Sequence, residues 1–111
     1  MTNKDMHYLK SVINDAILRV DSISINTVDS EFTIVMDVHD KQNGNILITF
    51  GGVSSINIMY PLSPPMIIQG FEIIDNKQSG WENDKKFFVN DYEDGFLSFY
   101  CKNVEYTILE S

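Results

Sequence analysis

Cysteine and arginine are almost missing: Cys101 and Arg19 are single instances in a chain of 111 residues. A lone thiol cannot close an internal disulfide or supply a Cys-rich zinc site. Unbroken apolar runs span only a few residues, far short of the roughly 20 that cross a bilayer. The first twenty residues mix Lys4, Asp5, His7, Lys10, Asp15 and Arg19 with apolar positions, so no secretory signal is expected there. There is no Asn-x-Ser/Thr acceptor. These absences give the expectation of a soluble, cytoplasmic protein in a reducing compartment. Positive charge is also scarce, with 8 basic residues against 16 acidic ones and a net charge of -8. Nucleic acid and anionic membrane are therefore disfavoured as partners, because both present negative charge.

The motifs of several chemistries are missing too. No Walker loop and no Gly-x-Gly-x-x-Gly occurs, and Ser54, Ser55, Ser63 and Ser98 lack a nucleophile-elbow setting. No Cys–His signature surrounds Cys101, which falls in phase with Leu97 and Phe99 and reads as a buried, inert thiol. Asn90 to Gly95 faintly resembles a calcium loop, but Tyr92 and Cys101 stand where oxygen ligands are required. Neither a cofactor nor a resident metal is expected, and the chain does not read as an enzyme.

What is present is a foldable chain. Hydrophobic residues make up 43% and aromatics 12%, which sets it apart from disordered sequences. The length suits one domain over 1–111. Met6, Leu9, Val12, Ile13, Ala16, Ile17 and Val20 recur at three- and four-residue steps and predict a helix that fades between Asn14 and Arg19. From Asp21 onward the period is two. Phe32, Ile34, Met36 and Val38 alternate with Thr33, Val35, Asp37 and His39. Asn43-Gly44 is hairpin chemistry, Ile46, Ile48 and Phe50 line the return strand, and Gly51-Gly52 should bulge or break it. Pro61, Pro64 and Pro65 form a stiff connector before a strand over Met66 to Ile74. Lys86 to Asp91 and Gly95 to Cys101 should pair across Tyr92-Glu93-Asp94, and the last strand runs from about Val104 to Leu109.

The short connections leave no room for crossover helices, so neighbouring strands should be antiparallel. The expected fold is α+β or mainly β: one N-terminal helix and about seven or eight strands in a barrel-like or two-layer sheet. Several strands are apolar on both faces, among them Phe96 to Cys101, Ile67-Ile68 and Ile73-Ile74. Their second side must meet the helix, another sheet layer or another copy of the chain.

Two candidate sites follow. Asp37 and His39 share one side of their strand and could share a metal or a proton, at the mouth of a small-ligand or enzymatic pocket. A plain solvent-facing strand explains them as well. The second candidate is a partner surface, because acids crowd the stretch from Glu72 to Asp94. Glu72, Asp75, Glu82, Asp84, Asp91, Glu93 and Asp94 face only Lys77, Lys85 and Lys86 there, around the single tryptophan, Trp81. Such a stretch suits docking to a basic protein, with Trp81 as an anchor or as a lid over the sheet. A solvated acidic face needs no partner, and homodimerisation would equally cover the greasy second faces.

The order Asn14-Asp15-Ala16-Ile17-Leu18, Ile23-x-Ile25, Phe32-Thr33-Ile34, Ile48-Thr49-Phe50-Gly51-Gly52-Val53, Gly70-Phe71-Glu72-Ile73 and Phe99-Tyr100-Cys101 resembles small uncharacterised bacterial proteins of this length, some of them suspected immunity partners of polymorphic toxins. Those proteins often open with a His-Asp pair before the first strand, and Asn14 takes the histidine's place here. The resemblance implies a β-rich, non-enzymatic cytoplasmic protein whose task is binding another protein, and it carries over no catalytic residue.

Overall fold

In a computed structural model of the chain, the structure describes residues 2–3, 6–13, 17–40, 44–58, 65–75, 87–91, 95 and 97–109. These residues form one helix and nine strands: β1 (Thr2–Asn3), α1 (Met6–Ile13), β2 (Ile17–Val28), β3 (Glu31–Asp40), β4 (Gly44–Ile58), β5 (Met66–Gln69), β6 (Phe71–Asp75), β7 (Phe87–Asp91), β8 (Leu97–Cys101) and β9 (Asn103–Leu109). Each strand pairing among them is antiparallel. The expected mostly-β composition with a single helix is present.

The helix is shorter than its apolar stripe predicts. Leu9 and Ile13 are buried, but from Ile17 the chain is strand, because Leu18 and Val20 alternate about exposed Arg19. A spacing of 13, 17 and 20 fits both periods, and pairing with β3 and β5 decides for the sheet. The strand expected over Met66 to Ile74 is likewise divided. Gly70 has φ +73°, a conformation that suits glycine, and turns the chain between β5 and β6.

The strands run in the order β5-β2-β3-β4-β8-β7-β6, with β9 and β1 added beside the first half of β4. The long strand β4 thus serves two limbs. Its first part, Asn45 to Gly51, pairs with β9, and its second, Ser54 to Ile58, pairs with β8. The switch falls at Gly51-Gly52, as the glycine pair suggests. Gly52 has φ +61°, and a Cβ there would press into the Lys102 side chain at 2.7 Å. The β8–β9 turn crosses at this point, and Lys102 N–H donates to the Gly51 carbonyl at 2.9 Å.

The sheet does not close into a barrel, contrary to one of the two forms expected. Its ends, β5 and β6, are joined through Gly70 but are not hydrogen-bonded to each other. The corner sends one to β2 and the other to β7. The inner faces of both limbs and the helix share one apolar core, containing Leu9, Leu18, Met36, Ile48, Ile73 and Val89. Phe50 of β4 meets Phe99 of β8 edge-on at 5.0 Å and 75°, linking the limbs.

Candidate functional site

The outer face of the β2–β3–β4 limb carries the Asp37–His39 pair. Val20 pairs with Val38 and Ser22 with Asp37, so Asp21 is an extra residue in a bulge beside Arg19. Arg19 donates from Nε to Asp21 Oδ1 at 2.7 Å and from Nη2 to Asp21 Oδ2 at 3.3 Å. Asn45 stands opposite His39 in the β3–β4 register. Its Nδ2 donates to Asp21 Oδ2 at 3.2 Å and to Asp37 Oδ1 at 3.1 Å. Carboxylates only accept, so this fixes the amide's orientation, and Asn45 Oδ1 accepts from His39 Nδ1 at 3.0 Å. The hydrogen bond and charge of Arg19, with further help from Asn45 and His39, hold the Asp21 carboxyl below its ordinary value despite partial desolvation. The Arg19 guanidinium is raised in turn, chiefly by its hydrogen bond to Asp21.

Asp37 and His39 are therefore joined through an amide. Asn45 Nδ2 points its hydrogens between the carboxylates of Asp21 and Asp37, where a cation would have to sit. Among the described residues, no group of three or more His, Cys, Asp or Glu side chains is arranged to hold a metal. A cavity of about 180 Å³ lies elsewhere, against Phe32, Gly52, Val53, Ser54 and Lys102. Its volume is below the roughly 300–1,000 Å³ of ligand pockets. Cys101 is buried beside the limb junction, and burial pushes its thiol up to about 12.

The outer face of the β6–β7–β8 limb is different. Ile74 pairs with Phe88 and Phe88 with Tyr100, giving an apolar row across three strands. The Phe88 and Tyr100 rings are 4.9 Å apart, and Ile74 is 40% exposed. Beside it runs a polar row, Glu72–Asn90–Ser98, in which Asn90 Nδ2 donates to Glu72 Oε1 at 3.4 Å. The apolar character of Ile73-Ile74 and of Leu97 to Cys101 thus divides by face. Ile73, Leu97, Phe99 and Cys101 enter the core, while Ile74 and Tyr100 stand outside.

Of the acids that the sequence singles out, Glu72 is half-buried on this outer face and Asp75 is exposed at the end of β6. Asp91 is only 1% exposed and shares the core side of β7 with Phe87 and Val89, so its side chain is not displayed with the others. Trp81, Glu82, Asp84, Glu93 and Asp94 lie outside the described residues. Sequence reasoning missed Arg19, Asp21 and Asn45. The hairpin register, which puts Asn45 opposite His39, is the signal that finds the last of them.

Together the fold and these surfaces define an antiparallel, mostly-β domain with one helix, a closed polar network on one outer face and an apolar row with acids on the other. No described helix is long and apolar enough to cross a membrane. Comparison with protein-family models, curated proteins and solved structures finds no match.

Proposed function

We propose that the chain is a protein-binding domain without catalytic activity, acting in the cytoplasm, and that it docks a basic protein on the outer face of β6–β7–β8. The observation that carries this reading is the cross-strand row Ile74–Phe88–Tyr100 beside Glu72, with Asp75 at its end. Apolar surface on a sheet face supplies contact energy, and flanking carboxylates select a positively charged partner and speed encounter. The chain between β6 and β7 carries Trp81, Glu82 and Asp84, and that between β7 and β8 carries Glu93 and Asp94. These residues extend the acidic, aromatic character of the docking region in sequence. The resemblance to immunity-type proteins adds the partner class, a basic toxin domain.

The test is capture by immobilised wild-type chain, from the cytosol of its own source and from co-expression with the proteins encoded beside its gene. Glu72→Lys and Trp81→Ala variants run alongside. A basic protein retained by wild type and lost from both variants supports the proposal. Identical capture by all three removes this face as the docking site.

A further inference from the structure

The edges of this sheet are not equally protected. β5 spans four residues and covers β2 only from Ile17 to Val20. β6 is short and carries Glu72 and Asp75, and β1 has two residues. Natural sheets blunt their edges by such means, with short strands and charges. The stretch Ser22 to Val28 of β2 has neither protection. It contains no charge and no proline, pairs only with β3 among the described residues, and belongs to a hairpin whose side chains are largely exposed.

The two-residue turn Asp29-Ser30, with φ 51° and 67°, sets the hydrogen-bond phase of that hairpin. Val28 and Glu31 flank the turn and form a hydrogen-bonded pair, and the pairs alternate from there. Ser22, Ser24, Asn26 and Val28 therefore direct their backbone groups to β3. Ile23, Ile25 and Thr27 direct their N–H and C=O groups away from the sheet. A strand is the occupant that such groups fit.

We propose that this edge pairs antiparallel with the same edge of a second copy, making a two-fold dimer with one sheet continuous through both β2 strands. The register that uses the backbone groups of all three outward residues puts Ile25 opposite its own counterpart and Ile23 opposite the counterpart of Thr27. The segment is self-complementary in this register. The charge of -8 on each chain opposes close approach of two copies, but Ser22 to Val28 carries no charge and adds no repulsion along the seam itself. Asp21, at the end of the seam, has its charge answered by Arg19. The dimer leaves the outer face of β6–β7–β8 free, so it is independent of the docking proposal.

Sedimentation of the wild-type chain from low micromolar to millimolar concentration should show a monomer–dimer equilibrium. Ile25 is 41% exposed, so Ile25→Lys should fold normally and raise the dissociation constant at least about tenfold. In wild type, amide exchange at Ile23, Ile25 and Thr27 should slow as concentration rises, while Ser24 and Asn26 do not change. A monomer throughout this range, or a dimer that Ile25→Lys leaves intact without protection of those three amides, overturns the proposal. Protection that appears only when a foreign protein is added also overturns it, in favour of strand addition by another chain.

Discussion

On the β2–β3–β4 limb, the outer polar side chains find one another. Arg19, Asp21, Asn45, Asp37 and His39 form one hydrogen-bonded chain across three strands. On the β6–β7–β8 limb the outer face carries the long Asn90–Glu72 hydrogen bond beside the apolar row of Ile74, Phe88 and Tyr100. Both limbs bury apolar residues inward on the same alternation, so the core does not distinguish them. What differs is the make-up of the outer residues: a polar network on one limb and an apolar row on the other. A face whose donors and acceptors engage one another contributes to stability, whereas an apolar row across three strands offers contact area.

The largest effect tests the shared core beneath both faces. Phe50→Ala removes the ring that meets Phe99 and should destabilise by about 3–5 kcal/mol in denaturant unfolding. Amide protection should fall in both limbs together. Protection lost from only one limb would show that the limbs unfold separately. Next comes the junction. Gly52→Ala forces a Cβ into left-handed backbone and against Lys102, and should cost more than the about 1–2 kcal/mol of the conformation alone. Gly95→Ala, with φ +67° and open space around it, should cost only that conformational part. Equal costs would mean that the crossing of the β8–β9 turn is not tight.

The outer faces separate at smaller magnitudes. Asn45→Ala leaves Asp21 and Asp37 without their shared donor and should cost about 1–2 kcal/mol, read from the urea midpoint. Asn90→Ala should stay within about 0.5 kcal/mol, since its bond to Glu72 is long and only part-buried. The smallest effect is on pH dependence. Asp21 is held below its ordinary value of 3.8, so its contribution is present above that pH and is lost as pH falls through the lower folded-state value. An Arg19→Gln variant should move the Asp21 carboxyl back up, as followed by carboxyl carbon NMR; an unmoved titration would assign the shift to another group.

Much of the fold is legible in the chain because inward apolar residues alternate along most of each strand. Its corners are legible as well, in a signal that needs the strands already placed. Inward residues step by three, not two, from Val20 to Ile23, Phe50 to Val53, Ile68 to Phe71 and Cys101 to Val104. The first step is the Asp21 bulge, the second the switch of β4, the third the Gly70 corner and the fourth the β8–β9 turn. The third is masked because Met66 to Ile74 is apolar throughout except for Gln69, Gly70 and Glu72. The polar network is less legible: Asp37 and His39 share a strand face by spacing, but Asn45 and Asp21 join them only through cross-strand register. Asp91 carries its own signal, being in phase with Phe87 and Val89, which separates it from Glu72 on the adjacent strand.

The most direct test of the division between faces is a titration of a basic protein that wild type retains, if the proposed docking holds, against two variants. Phe88→Ala should weaken binding at least about tenfold, the scale of a contact that anchors an interface. Asn45→Ala should lower the unfolding midpoint and leave affinity unchanged below that midpoint. Wild-type affinity in Phe88→Ala, or lost binding in a folded Asn45→Ala, would contradict the assignment of docking to the β6–β7–β8 face.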